Sequence, residues 1–104
     1  MPAYVIVEVH ITSPEEYEEV KKLTPPVLSK LGGKYLARSG EVENLAGEWN
    51  PERIVLLEFP TLDKAKEWVS SPEYEPVKAI RDKTAHVNMV AFESLAQPPR
   101  EMVG

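Results

Sequence analysis

The stretch YVIVEVHI, residues 4–11, alternates for its whole length and is rich in β-branched residues. That is the pattern of a strand with two unlike faces. Val5, Val7 and Val9 share one face; Tyr4, Ile6, Glu8 and His10 share the other, because successive side chains on a strand point to opposite sides. Downstream, TSPEEYEEV predicts a helix, with Ser13 as N-cap, Pro14 at the first helical position and Glu16 closing a capping box. Tyr17 and Val20 face inward. Pro25 and Pro26 lack the amide hydrogens that would continue the helix, so it is expected to stop there and restart as a short turn over Val27–Leu31. Gly32 and Gly33 then supply residues that tolerate positive φ.

Lys34–Arg38 follows as a second strand, and a polar connection with room for an extended piece over Glu41–Leu45 leads to RIVLLEF, residues 53–59. This third strand is the most apolar and is expected to be central. Thr61 caps a further helix with Leu62, Ala65, Trp68 and Val69 on one face. SSPEYEPV repeats the start signal, with Ser71 as cap and Pro72 at the first position. Pro76 falls within about a turn of that start, and Tyr74, Val77, Ile80 and Arg81 follow at helical spacing. His86–Glu93 is a fourth strand. The order β-α-β-β-α-β is the ferredoxin-like arrangement of the α+β class. Right-handed crossovers put the helices on one face of a four-stranded antiparallel sheet, in the spatial order fourth, first, third, second. Residues 1–95 form this single domain, and 96–104 are expected to be an irregular tail.

The chain has 104 residues, a formal net charge of -5 and no cysteine. Without cysteine there is no disulfide framework, thiolate nucleophile or cysteine-bound metal. An acidic domain with no Lys/Arg stripe repels phosphate backbones, which argues against nucleic-acid binding. MPAYVIVEVH lacks a basic leader and has Glu8 within its apolar run. It therefore reads as neither signal peptide nor membrane span, and the expected location is the cytoplasm.

One sheet face packs on the helices, using the valines of the first strand with Val55, Leu57 and Phe59. The other carries Ile6, Ile54 and Leu56 without cover, and burying such a patch against a second copy gives a two-fold homodimer. That face also carries Glu8, His10 and Glu58. Arg38 is expected at the end of the sheet nearest His10, beside this open face, with His86 and Asn88 starting the fourth strand at the same end. Polar groups on a buried apolar surface must be paired or hydrated.

Three segments together, YVIVEVHITSPEEYEEV, GGKYLARSGEVENLAGEWNPERIVLLEFP and AKEWVSSPEYEPVKAIR, resemble the domain-of-unknown-function-1330 family of the dimeric α+β barrel superfamily. The resemblance spans residues 3–93. It implies the ferredoxin-like fold and the sheet-to-sheet dimer but no established activity. Superfamily relatives include cofactor-independent monooxygenases, muconolactone isomerases, haem peroxidases and effector-binding modules, so the fold does not select among them.

Arg38 presents a planar donor fork suited to a carboxylate or enolate; the alternative is an ion pair with Glu8, Glu58 or Glu41. His10 is a candidate general base, with Glu58 as a further proton carrier. Trp68, Tyr74 and Tyr17 can wall an aromatic ligand between helices and sheet, or Trp68 can serve as a core anchor. Glu8 and Asn88 complete the candidate ligand contacts. A metal site needs three or more converging ligands, and no such motif is present; neither histidine lies on a helical wall fit for haem, and no cofactor is expected. Two readings follow. One is a cofactor-free isomerase or monooxygenase-like enzyme for a small acidic or enolisable molecule. The other is a non-catalytic binding or interaction module in which Glu8, His10, Arg38 and Glu58 form an ion network at the dimer interface.

Overall fold

A computed structural model describes residues 1–95. The expected tail, 96–104, lies outside the described residues. The elements are β1 (Ala3–Ile11), α1 (Pro14–Lys30), β2 (Lys34–Arg38), β3 (Arg53–Phe59), α2 (Leu62–Ser70), α3 (Glu75–Thr84) and β4 (Ala85–Glu93). The sheet runs β2-β3-β1-β4 with every neighbouring pair antiparallel. This is the ferredoxin-like order, with α2 and α3 together filling the second helical position. Val5, Val7 and Val9 pack with Leu57 and Phe59 against Val20, Leu28, Trp68 and Val77 in one core.

Five local expectations are corrected. Helix α1 does not break at Pro25 and Pro26 but continues to Lys30. Each proline removes one amide bond, to the carbonyls of Lys21 and Lys22, and both lysines are exposed, so water can serve those carbonyls. Burial of Val20, Thr24 and Leu28 along one stripe holds the helix together. The Ser13 capping box does not form, although Ser13 is the N-cap and its carbonyl accepts from the Tyr17 amide at 2.9 Å. Ser71 caps the end of α2 rather than the start of α3: its hydroxyl donates to the Trp68 carbonyl at 3.0 Å. A turn over Ser71–Tyr74 then delays α3 to Glu75, which puts Pro76 in its first turn. Val69 faces solvent at 40% exposure, and residues 41–45 form no strand.

The two glycines after α1 serve different ends. Gly32 has φ of 77° and closes the helix, its amide donating to the Ser29 carbonyl. Gly33 is not left-handed; it is buried where a Cβ would stand 2.7 Å from Phe59 and 2.8 Å from Leu28.

Candidate functional site

The site begins with an irregularity in β2. Tyr35 registers with Leu57, but Arg38 registers with Val55, and the ladder slips between Tyr35 and Ala37. Regular alternation would set residues three apart on opposite faces. The bulge adds one residue to β2 and restores the same side. Val55 pairs with Val7 and Leu57 with Val5, so Tyr35 and Arg38 both face the helices. The expectation that Arg38 lies beside the open face near His10 is therefore corrected: Arg38 is on the opposite side of the sheet, with its guanidinium 4.3 Å from the centre of the Tyr35 ring.

Here the sheet and helices enclose a cavity of about 160 Å³. Its floor is Val7, Val9, Val55, Leu57, Val87 and Met89, and its roof is Tyr17, Val20 and Thr24 of α1 with Trp68 of α2. Lys21, Arg38, Arg53 and Arg81 line it, and among the described residues no carboxylate does. Lys21 pairs with Glu18 at 3.0 Å and Arg81 with Asp82 at 2.9 Å; among the described residues Arg38 and Arg53 have no ion-pair partner. A chain of net charge -5 thus concentrates positive charge in the apolar-floored hollow described above.

Three phenols share the cavity. Burial pushes the Tyr17 hydroxyl above its usual range, and the nearness of Tyr74 and Tyr35 pushes it further. Burial raises Tyr35 as well, against the opposing pull of Arg38. Tyr74 is also raised by burial, although Arg81 opposes it. All three hydroxyls therefore remain protonated donors at neutral pH. Arg81 donates from Nη1 to the Tyr74 oxygen at 3.1 Å and from Nε and Nη2 to Asp82. Burial pulls the Arg81 guanidinium down, but Tyr74 and Asp82 outweigh it and the net direction is upward. Trp68 is at once core anchor and cavity wall. It is 1% exposed and its ring lies 5.5 Å from Phe59 and 4.8 Å from Tyr74, while its buried indole N–H has no hydrogen-bond partner.

The other candidates stand on the far face. Glu8 accepts from Asn88 Nδ2 at 3.1 Å and from the Trp49 indole at 3.3 Å. His10 Nδ1 meets the Glu52 carboxylate, and its ring stacks on His86 at 6.2 Å. Glu58 pairs with Lys34 at 3.1 Å toward the other end. The structure thus joins Arg38, Trp68, Tyr74 and Tyr17 and separates them from Glu8, His10, Glu58 and Asn88. Tyr35, Arg53 and Arg81 were not singled out by sequence reasoning. Arg53 shares the parity of Val55 and Leu57, and Arg81 stands seven residues after Tyr74, so both signals were available. Among the described residues no group of three or more His, Asp or Glu gathers as metal ligands.

The sequence profile of the domain of unknown function DUF1330 matches residues 2–95. Among curated proteins, none matches the sequence. Among solved structures, the RPA0582 protein of unknown function from Rhodopseudomonas palustris superposes with a TM-score of 0.76 at 17% identity, over 92% of this chain and 84% of that one. SnoaB, a cofactor-independent oxygenase from Streptomyces nogalater, superposes with a TM-score of 0.64 at 13% identity, over 95% and 98%. A dimeric ferredoxin-like protein of unknown function from Jannaschia sp. CCS1 gives 0.67 at 10% identity, over 90% and 100%. At these identities the likeness is one of fold.

Proposed function

This chain belongs to the DUF1330 family, and we propose from its cavity that it is a cofactor-independent protein acting on a small acidic or enolisable molecule held between sheet and helices. The observation that carries this reading is the inversion of charge: among the described residues, four cationic side chains and no carboxylate line an apolar hollow in an acidic chain. Arg38 and Arg53, without ion-pair partners among the described residues, are the groups that neutralise the anion. The volume of about 160 Å³ is close to the roughly 150 Å³ cavity that admits benzene, so the body of the ligand is one ring or a short chain.

The chemistry in reach is stabilisation of an enolate. Negative charge on the enolate oxygen meets the guanidinium donors of Arg38 and Arg53, both exposed at the mouth of the cavity. A substrate that enters already as its enolate takes a proton at carbon from a protonated tyrosine; the tyrosinate left behind takes a proton from water, and the hydroxide so formed leaves to solvent. Among the described residues no carboxylate or imidazole lines the cavity to act as base, so His10 and Glu58 take no part in this reading. The description of SnoaB, which shares this fold, as a cofactor-independent oxygenase supports chemistry without a cofactor. The test is a thermal-shift comparison of benzoate with benzamide at low ionic strength. Benzoate is expected to raise the melting temperature and benzamide to leave it in place. Equal shifts for both, or none for either at saturating concentrations, would remove the charge argument.

The open sheet face supports a homodimer. Tyr4, Ile6, Ile54 and Leu56 are half-buried there, while Val90 and Phe92 are 58% and 46% exposed. Such a patch is costly to leave wet, and the relative from Jannaschia is described as dimeric. Light scattering is expected to give twice the chain mass at micromolar concentration and the single-chain mass for Val90→Glu. A wild-type monomer would contradict the dimer.

A further inference from the structure

Among the described residues, two buried donors in the cavity have no acceptor. A guanidinium donates only, so the bond from Arg81 Nη1 to the Tyr74 hydroxyl at 3.1 Å uses the oxygen of Tyr74 as acceptor. The phenolic proton must then point elsewhere, and among the described residues no acceptor takes it. Tyr74 is 2% exposed, so water does not freely serve that proton. The second donor is the indole N–H of Trp68, which is fully buried and unpartnered. Unmet donors of this kind are costly in a low-dielectric interior, and both belong to residues lining the same hollow.

Their position relative to the arginines is set by the sheet. Trp68 packs on Phe59, four residues along β3 from Val55, where Arg38 registers. At the rise of a strand that separation is about 13 Å. The guanidinium of Arg38 shortens it by bending over Tyr35, which registers with Leu57, toward the Trp68 end. Leu57 stands two residues from Phe59, about 7 Å along the strand. We infer that the cavity selects a ring monocarboxylate, or a chain of similar length, that carries an acceptor oxygen at the end away from its carboxylate. The carboxylate lies on Arg38 and Arg53, and the distal oxygen accepts from Tyr74 and Trp68. Arg81 is a positioning residue that turns the Tyr74 proton into the cavity. This assignment rests on the anion-binding reading above and names its substrate class.

Two probes that differ by one oxygen test it: 4-oxocyclohexanecarboxylate and cyclohexanecarboxylate, titrated calorimetrically against the full chain. The wild-type protein is expected to bind the oxo acid about tenfold or more tightly than the deoxy acid. Tyr74→Phe and Trp68→Phe keep the aromatic packing while each removes one donor, so each is expected to bring the ratio toward one. Arg38→Gln is expected to weaken both acids by the same factor and preserve the ratio. Equal wild-type affinities, with Arg38→Gln still weakening both, would overturn the distal-oxygen assignment and leave anion binding standing. A ratio that survives both aromatic substitutions would overturn the two donors. Failure of both acids to bind at millimolar concentration would overturn the anion-binding reading itself and this inference with it.

Discussion

Replacing Arg38 by Gln separates a ligand-binding role for this side chain from a structural one. In the free protein Arg38 offers one specific contact, the stacking of its guanidinium 4.3 Å above Tyr35. It is an exposed residue, and a cation–π contact at an exposed site contributes about 0.5–1 kcal/mol. For a domain of this size 1 kcal/mol corresponds to roughly 4–8 °C in Tm, so Arg38→Gln is expected to lower Tm by only a few degrees. Against a carboxylate the guanidinium makes two charge-assisted hydrogen bonds, each worth about 1.5–3 kcal/mol. Exposure at the mouth discounts their sum to about 1.5–3 kcal/mol in total, so affinity for benzoate falls roughly 10- to 150-fold. Isothermal titration with benzoate and a thermal melt of each protein give both readouts. His10→Gln is the control, because His10 stands on the other side of the sheet and pairs with Glu52; its benzoate affinity is expected to match wild type. Unchanged affinity in Arg38→Gln, or an equal loss in His10→Gln, would refute the reasoning.

Burial raises the hydroxyls of Tyr17, Tyr35 and Tyr74 above the ordinary value of 10.0. Above that pH the unfolded chain gives up these protons before the folded one does, so stability is full below about pH 10 and falls as pH rises further. Urea melts from pH 8 to 11.5 are expected to show that decline, and a flat profile would contradict it. Gly33→Ala drives a Cβ to 2.7 Å from Phe59 and 2.8 Å from Leu28, both fully buried. The expected loss is about 1–3 kcal/mol, whereas Gly40→Ala, with nothing within 4 Å, is expected to stay within about 0.5 kcal/mol of wild type; equal denaturation midpoints for the two variants would contradict the close approach. Deleting Leu36 removes the extra residue of the bulge and leaves Arg38 two residues after Tyr35, still opposite Val55 and on the cavity side of a regular strand, so benzoate binding is expected to be retained; loss of binding would contradict the reading of Leu36 as the extra residue of the bulge.

The strand order of the sheet was legible because Tyr4–Ile11 and Arg53–Phe59 each carry an alternation or apolar run that a helix would not use, and because Thr61 and Pro14 mark helix starts. The bulge in β2 was not legible. One extra residue in YLAR leaves no compositional trace, yet it reverses the side on which Arg38 stands and hence its neighbours. The prolines of α1 misled for a related reason: local propensity favours a break, while the buried stripe of Val20, Thr24 and Leu28 outweighs two missing amide bonds on the exposed side. Tyr74 and Trp68 were found as aromatic walls. Their partner Arg81 was passed over as a helix residue, because the sequence does not say that its carboxylate neighbour, Asp82, would leave one of its nitrogens for Tyr74.

The chain has two tryptophans, one on each side of the sheet: Trp68 lines the cavity, and Trp49 donates its indole N–H to Glu8 on the open face. Their two indole resonances in a nitrogen–proton correlation spectrum therefore report which face takes an organic anion. On titration with benzoate the account predicts a saturable shift of the Trp68 indole and none of the Trp49 indole. Movement of Trp49 with Trp68 fixed, or no movement of either at saturating benzoate, would contradict the placing of the site between sheet and helices.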